Sequence, residues 1–234
     1  MLTTNGRLPL GCAKLDEMLQ GGFAKGELAL IYGEAAVGKT TTAIQAATAA
    51  AARSFKVVYV DADHSFTQQR FKQIAGSRSA DISELITLFL PDNFSQQRRV
   101  LESMENYVTS RVSMVIVDSI NSLYRAELSG PENTFSLNRD LSRQVAYLSE
   151  LAATHNLACL ITSQVHSRLQ PPTADIEPVA RRTVFHFPQL ILRIKNTPKP
   201  GVKEFILERI AGADIARRNC LIAIQEGGLT DAEP

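Results

Sequence analysis

The chain has 234 residues, of which 44% are hydrophobic and 21% charged, and its formal net charge is +1. This composition is typical of a globular protein and excludes disorder along the whole chain. The small net charge excludes a global basic field, so nucleic-acid binding would require local patches. We find neither a signal peptide nor an apolar run long enough to cross a bilayer, and therefore expect a cytoplasmic protein. The three cysteines form no CxxC pair, which favours buried thiols over a zinc site.

Short β-branched runs alternate with longer helical stretches along the chain. Predicted strands cover residues 27–32, 56–61, 85–90, 114–118, 158–164, 190–195, 204–211 and 220–225, and glycines at 227 and 228 end the last one. Predicted helices cover residues 41–53, 68–75, 95–110 (with Ser95 as N-cap) and 136–155, and residues 165–182 form a long surface loop. This alternation predicts one α/β domain over 1–234, with a mostly parallel central sheet flanked by helices and a C-terminal β-meander.

One segment carries a phosphate-binding signature. Residues 33–40 read GEAAVGKT, which matches GxxxxGK[ST] between a predicted strand and a predicted helix. The glycines let backbone N–H groups approach the phosphates, the lysine places an ammonium on them, and the following helix points its positive end at the same anion. The predicted nucleotide-binding residues are Gly33, Glu34, Ala35, Ala36, Val37, Gly38, Lys39, Thr40 and Thr41.

Polar side chains follow three further predicted strands. Asp118 ends a buried strand and is predicted to hold Mg²⁺ together with the Thr40 hydroxyl. Asp61 and Asp63 follow another strand, where they either orient the attacking water as general base or cap a loop. Gln164 ends a fifth strand, where its amide is predicted to sense the γ-phosphate; a strand-end glutamine without a role is the alternative.

Four segments in this order resemble one family. IYGEAAVGKTT, VVYVDADHSF, VIVDSINSLYRAEL and LITSQV make the chain similar to the RecA/RadA/Rad51 recombinase ATPases, most of all to the archaeal RadB and Rad51-paralogue branch. The resemblance covers nearly the whole chain and implies a RecA-like P-loop NTPase core that binds ATP and Mg²⁺. It implies that Asp63 stands where recombinases carry a catalytic glutamate, so we expect slow hydrolysis. It also implies that Arg70 packs on the adenine, although a solvated helix charge is the open alternative.

The same resemblance implies two loops that bind single-stranded DNA. Residues 124–133, with Arg125, correspond to the first loop, and residues 165–182 correspond to the second. The second loop would use Arg168, Arg181 and Arg182 to neutralise phosphates; an ordinary solvated loop is the alternative. Phe185 and Phe187 are predicted to begin the next strand and to belong to the core.

Three departures from the family pattern bear on the role. The core begins within the first dozen residues, no FxxA-type motif precedes it, and PVARR at 178–182 replaces the Gly-Gly-His segment of recombinases. We therefore expect no long filament, leave a smaller homo-oligomer open, and expect an accessory or mediator that binds single-stranded DNA or a RadA/Rad51-type recombinase. A non-hydrolysing ATP-dependent switch and a KaiC-like signalling ATPase of the same superfamily are the alternatives.

Overall fold

The computed structural model describes residues 6–128, 131–164 and 183–232. The strands are β1 (Arg7–Leu8), β2 (Phe23–Ala24), β3 (Leu28–Gly33), β4 (Lys56–Asp61), β5 (Ile86–Phe89), β6 (Val112–Asp118), β7 (Ala158–Gln164), β8 (Leu190–Asn196), β9 (Val202–Ile210), β10 (Ala213–Gln225) and β11 (Gly228–Asp231). The α-helices are α1 (Ala13–Met18), α2 (Lys39–Ala51), α3 (Gln68–Ala75), α4 (Ser79–Ser83), α5 (Phe94–Glu102), α6 (Ser122–Glu127) and α7 (Pro131–His155). Short 3-10 helices cover Gly76–Arg78 and Met104–Asn106, and residues 183–186 form one helical turn.

Nine of these strands form one sheet, in the order β11-β10-β9-β8-β3-β7-β6-β4-β5. The six strands from β8 to β5 in that order pair in parallel. Strands β9, β10 and β11 extend the other edge by antiparallel pairing. The predicted α/β class, its mostly parallel sheet and its C-terminal meander are therefore confirmed.

Alternate residues of the central strands enter two separate cores, one on each face of the sheet. Along β3, Ala29 and Ile31 belong to the core that α2 covers, whereas Leu28 and Leu30 belong to the core that α7 covers. Helix α7 buries one apolar stripe, and Leu137 packs against that core partly buried; the buried residues are Leu141, Val145, Leu148 and Leu151. Because both faces are covered, the strands read as continuous apolar runs in the sequence.

Some predicted boundaries are wrong. Helix α5 begins after Asn93, whose side chain accepts a hydrogen bond from the Gln96 N–H at 2.9 Å. Ser95 is therefore not the N-cap, and the helix ends at Glu102 instead of residue 110. At the C-terminal side, β10 ends at Gln225, just before the two glycines as predicted, but Gly228 begins an unpredicted strand, β11, which pairs back on β10.

The parallel strands end at one edge of the sheet, and that edge holds the candidate site. In an open α/β sheet, ligands bind outside the carboxyl ends of the strands. Gly33 of β3 lies beside Gln164 of β7, and Asp61 of β4 lies beside Asp118 of β6. No helix in the described ranges is both long and apolar enough to span a membrane.

Candidate nucleotide site

The loop between β3 and α2 has the backbone of a phosphate cradle. Gly38, the residue before α2, has a φ of 104°, a left-handed conformation that glycine adopts without a steric penalty. Ala36 also has a positive φ, 59°, so the loop turns sharply at two positions. The loop and the first turn of α2 line a cavity of about 200 Å³, bounded by Ala36, Gly38, Lys39, Thr40 and Thr41. The N–H groups at this helix start are oriented to bind an anion.

Gly33 is required for packing as well as for the turn. A Cβ at this position would lie 2.4 Å from the Ile194 carbonyl oxygen and 2.9 Å from Cγ2 of Val37. Strand β8 and the loop therefore close onto the backbone at Gly33. This packing requirement is additional to the predicted role of the glycine, the approach of its backbone to the phosphates, which stays a prediction.

The Lys39 side chain lies inside the loop. Its ammonium donates to the carbonyl oxygens of Glu34 at 2.6 Å and Gly33 at 3.1 Å, and the residue is buried. Burial lowers the pKa of Lys39, while the nearby Asp118 and Asp63 carboxylates oppose that change. An ammonium has three donors, and those of Lys39 are held at the centre of the cradle.

Asp118 and Thr40 lie together, as a shared metal ligand set requires. Asp118 is buried, and burial raises the pKa of its carboxyl. Three hydroxyl groups that donate to this carboxylate oppose the rise, those of Thr162, Thr40 and Tyr59. The Tyr59 hydroxyl lies 2.9 Å from Oδ2 of Asp118. A buried carboxylate surrounded by hydroxyl groups next to a phosphate cradle fits a hard divalent cation such as Mg²⁺.

The two aspartates after β4 have different surroundings. Asp61 is buried, and its oxygens accept the backbone N–H groups of Ser65 at 3.0 Å and Phe66 at 2.9 Å. Asp61 thus caps the loop. Asp63 is exposed, and its charge acts on Lys39. The general-base prediction accordingly concerns Asp63 alone and stays a prediction.

Gln164 and Arg125 meet at the margin of the phosphate loop. Gln164 pairs with Gly33, and its side-chain oxygen accepts a hydrogen bond from Nη2 of Arg125 at 3.3 Å. Arg125 lies on α6 and lowers the pKa of Lys39 electrostatically. The structure thus brings this arginine, predicted as a DNA contact, to the nucleotide edge of the sheet. Tyr124, the first residue of the predicted DNA loop, is buried, and residues 129 and 130 of that loop lie outside the described residues.

Arg70 joins helix α3 to the C-terminal hairpin, which is formed by β10 and β11. Its guanidinium donates to the carbonyl oxygens of Glu226 at 2.8 Å and Gln225 at 2.9 Å. The same hairpin reaches the phosphate loop, because Cδ1 of Ile224 lies 2.2 Å from the position of a Cβ on Gly38. The guanidinium of Arg70 is therefore bound to the hairpin that contacts the phosphate loop. The predicted contact of Arg70 with the adenine stays a prediction.

Several site residues were not predicted from the sequence. Thr162 and Tyr59 position Asp118, Ser65 contacts Thr40, and Ile224 packs on the cradle. Thr162 had a detectable signal, because it begins the polar end of a strand whose first four residues are apolar. Ile224 had none, because its contact arises only from the fold of the distant C-terminal hairpin.

The predicted second DNA loop lies outside the described residues, including Arg168, Arg181 and Arg182. On its C-terminal side, Phe185 and Phe187 are partly buried and pack on the α7 core, as predicted. They do not begin a strand, however, because residues 183–186 form a helical turn and β8 begins at Leu190. The Phe185 ring lies edge-on to Tyr32, with 4.8 Å between centroids.

Comparisons with known proteins decide the family. The Rad51 family model matches residues 6–232. The chain belongs to the Rad51 family. A DNA repair and recombination protein RadB from Thermococcus kodakarensis is 39% identical over 86% of this chain and 89% of its own length. The RadB protein of Methanococcoides burtonii is 32% identical over 84% of this chain and 86% of its own length.

A solved structure extends the family assignment to the fold. It is described as the crystal structure of the RadB recombinase and is 34% identical to this Rad51-family chain, with a TM-score of 0.78. The match covers 97% of this chain and 100% of that one. The predicted RecA-like nucleotide-binding fold is therefore confirmed. As a Rad51-family member, the chain belongs to a family of ATPases.

Proposed function

We propose that this chain binds ATP with Mg²⁺ in the cradle of residues 33–40 and uses it to control binding to single-stranded DNA in recombination and repair. The observation that carries the proposal is the buried Lys39 ammonium inside a glycine-bounded loop at the start of α2. We propose an accessory or mediator role, in which a RadA/Rad51-type recombinase is a partner. The names of the RadB relatives, DNA repair and recombination proteins, support this setting.

The residues of the cradle fit a triphosphate. The Lys39 ammonium donates hydrogen bonds to two loop carbonyl oxygens at 2.6 and 3.1 Å. Phosphate oxygens are stronger acceptors than carbonyl oxygens because they are charged, so the ammonium turns to them when nucleotide binds. The start of α2 adds backbone N–H donors and the positive end of the helix dipole.

Thr40 and Asp118 would hold the metal, Thr40 with its hydroxyl and Asp118 with its buried carboxylate. Held by these two residues, Mg²⁺ would supply positive charge that neutralises the phosphates of the nucleotide. Thr162 and Tyr59 keep the Asp118 carboxylate in one orientation by donating hydrogen bonds to it. This fixed orientation favours a specific metal position over a diffuse acidic surface.

Asp63 is proposed to orient the attacking water and accept its proton. It is an exposed carboxylate whose charge acts on Lys39, which is consistent with a position facing the γ-phosphate. An aspartate is one methylene shorter than the glutamate of the recombinases, so it would reach the water less well. We therefore propose slow hydrolysis, with Gln164 contributing its amide beside the γ-phosphate.

Steady-state ATP hydrolysis, with and without single-stranded DNA, tests the enzyme part of the proposal. Wild-type protein is expected to hydrolyse ATP slowly and faster with DNA. Asp63→Glu is expected to raise the rate at least about tenfold, because a positioned general base contributes 100-fold or more. Asp81→Glu, at an exposed position on α4 outside the site, is the matched control and should leave the rate unchanged.

The outcomes separate enzyme from switch. An equal or lower rate in Asp63→Glu would remove Asp63 from the proposed role. ATP-dependent DNA binding without turnover, in both wild type and Asp63→Glu, would identify a binding switch. A rate that DNA does not change, together with no DNA binding, would overturn the recombination role.

A further inference from the structure

Two glutamine side chains meet in the interior, between α5 and α7. Gln97 lies on α5 and is fully buried, and Gln144 lies on α7 and is 3% exposed. Nε2 of Gln97 donates a hydrogen bond to Oε1 of Gln144 at 2.8 Å. Glutamine side chains are mostly exposed in globular proteins, so two of them in contact inside a core require a physical explanation.

The hydrogen bond within this pair does not account for its burial. Among the residues that the structure describes, Oε1 of Gln97 and Nε2 of Gln144 are buried without a hydrogen-bond partner. A buried polar atom without a partner lowers stability, whereas two apolar side chains of the same shape would avoid that cost. Stability alone therefore does not explain the pair.

The pair also contacts the turn that follows the metal-binding strand. Nε2 of Gln97 donates a second hydrogen bond, to the backbone carbonyl oxygen of Ile120 at 3.0 Å. Ile120 lies within residues 119–121, the β6–α6 turn, which begins directly after Asp118. Because Oε1 of Gln144 accepts from the same nitrogen, it fixes the Gln97 amide with its nitrogen, and not its oxygen, towards the turn.

The β6–α6 turn is connected to several parts of the candidate site. The carbonyl oxygen of Asp118, just before the turn, accepts the N–H groups of Ala62 at 2.7 Å and Asp63 at 3.3 Å. On the other side, the Ile120 N–H donates to the Thr162 carbonyl oxygen at 3.0 Å. The metal-binding aspartate, the proposed base and strand β7 therefore all depend on the position of one turn.

We propose that Gln97 and Gln144, the glutamine pair, position the β6–α6 turn and, through it, the Asp63 carboxylate that orients the attacking water. Gln97 supplies the hydrogen bond to the turn, and Gln144 holds the Gln97 amide in the orientation that makes it. Both are positioning residues, because buried side chains behind the turn do not touch the nucleotide. The proposal rests on the hydrolysis proposed above and names what holds its base in place.

The expected effect is large for a contact so far from the chemistry. A displacement of about 1 Å at a reacting group costs on the order of 100-fold in rate. The Asp63 backbone is bonded to Asp118, two residues from the carbonyl group that Gln97 holds. Loss of that bond therefore shifts the base while the cradle of residues 33–40, on another strand, keeps its geometry.

Steady-state ATP hydrolysis by the full chain, at a temperature at which each variant is folded, tests the pair. Gln97→Met is expected to lower kcat about 10- to 100-fold and to change the KM for ATP by less than about twofold, because the base moves and the cradle does not. Gln144→Met leaves the hydrogen bond to Ile120 possible but less constrained, and is expected to lower kcat about 3- to 10-fold. Methionine has a similar size, so the core stays filled.

A core variant on the same helix separates positioning from stability. Leu101 follows Gln97 by one helical turn on α5 and is buried in the core that α7 covers. Leu101→Val removes one methylene group and is expected to lower the urea midpoint of unfolding while kcat stays as in wild type. If Leu101→Val lowers kcat as much as Gln97→Met does, the pair acts through stability and the proposal is overturned.

Combination with an Asp63 variant tests the proposed route. Once Asp63→Ala has removed the base, the position of residue 63 no longer matters for water activation. Adding Gln97→Met to Asp63→Ala is therefore expected to lower kcat by less than about twofold further. If the two reductions multiply instead, Gln97 acts on another part of the site and the proposal is overturned.

The failure of the pair differs from the failure of the proposed function. If Asp63→Ala slows hydrolysis and Gln97→Met does not, the pair is wrong and the proposed base stands. If Gln97→Met does not fold, Gln144→Met decides, and a wild-type kcat in that variant overturns the proposal. If Asp63→Ala hydrolyses ATP as fast as wild type, or wild type does not hydrolyse it, the proposed base and the pair are both wrong.

Discussion

At the scale of single residues, the cradle requires that residue 33 carry no side chain. Gly33 ends a buried strand, and β8 packs so close that a Cβ would meet the Ile194 carbonyl oxygen at 2.4 Å. The backbone of Gly33 is also an acceptor for Lys39 at 3.1 Å. A side chain at residue 33 would therefore move both the sheet contact and the ammonium. The motif thus encodes a packing requirement in addition to a turn.

Gly33→Ala is expected to destabilise the protein by about 1–3 kcal/mol, the usual effect of forcing an extra methyl group into a packed site. ATP affinity should fall as well because Lys39 shifts. Urea unfolding and calorimetric nucleotide titration measure the two effects. Gly227→Ala is the matched control, since a Cβ there meets nothing within 4 Å. Equal stability of the two variants would contradict the close-approach interpretation.

At the scale of elements, the C-terminal hairpin of β10 and β11 is fastened to the nucleotide-binding helices. Arg70 of α3 donates to Gln225 and Glu226 carbonyl oxygens. Gln45 of α2 is buried, donates to the Leu229 carbonyl oxygen at 3.3 Å and accepts from the Leu229 N–H at 2.6 Å. The helix that begins with Lys39 therefore also holds the last strand.

Gln45→Met is expected to lower the free energy of unfolding by about 1–3 kcal/mol, because the buried Leu229 N–H loses its acceptor. Methionine has a similar size, so packing changes little. Chemical denaturation measures the difference. Gln69→Met, at an exposed position on α3, should leave stability unchanged. If Gln45→Met is as stable as wild type, the hairpin is held by its strand pairing alone.

The hairpin also marks the limit of what the sequence predicts. The buried parallel strands are predictable because both faces are covered, which leaves continuous apolar runs such as that of β6. Strand β10 is predicted only from residue 220, since its first half carries Asp214, Arg218 and Asn219 on an exposed antiparallel edge. Strand β11 is too short and polar to show a period. Its existence follows from contacts with α2, and these are not visible in a local pattern.

The residues of the candidate site also fall into two groups, those that the sequence predicts and those that it does not. Gly33, Lys39, Thr40 and Asp118 are predictable because the chemistry of phosphate and magnesium binding dictates their types and spacing. The hydroxyl groups that orient Asp118 come from other strands, and Ile224 reaches the cradle from the far end of the chain. Such partners are determined by the register of the sheet, which a single sequence does not state.

At the scale of the whole molecule, the core encloses a thiol that reports on global unfolding. Cys159 lies near the start of β7, between two parallel neighbouring strands, and is buried. Burial raises the pKa of its thiol, and burial raises that of Cys220 to about 11. The thiolate is the nucleophile, so native Cys159 is protected both by exclusion of the reagent and by its protonation.

Alkylation of Cys159 by iodoacetamide at pH 8 is expected to proceed only through unfolding. Mg·ATP should then slow it by a factor of about 1 + [ATP]/Kd, which is about 100-fold at an ATP concentration of 100 Kd. Mass spectrometry of the Cys159 peptide measures the rate. Lys39→Ala should show no such slowing. Alkylation that ATP leaves unchanged in wild type would contradict nucleotide binding to the folded state.

The central claim is that nucleotide in the cradle controls DNA binding. The measurement that tests it most directly is the affinity for a single-stranded oligonucleotide at fixed salt, with and without Mg·ATP, in wild type and Lys39→Ala. We predict at least about fivefold tighter binding with Mg·ATP in wild type, the lower range of allosteric coupling, and no nucleotide effect in folded Lys39→Ala. Equal affinity of wild type with and without Mg·ATP would contradict the account.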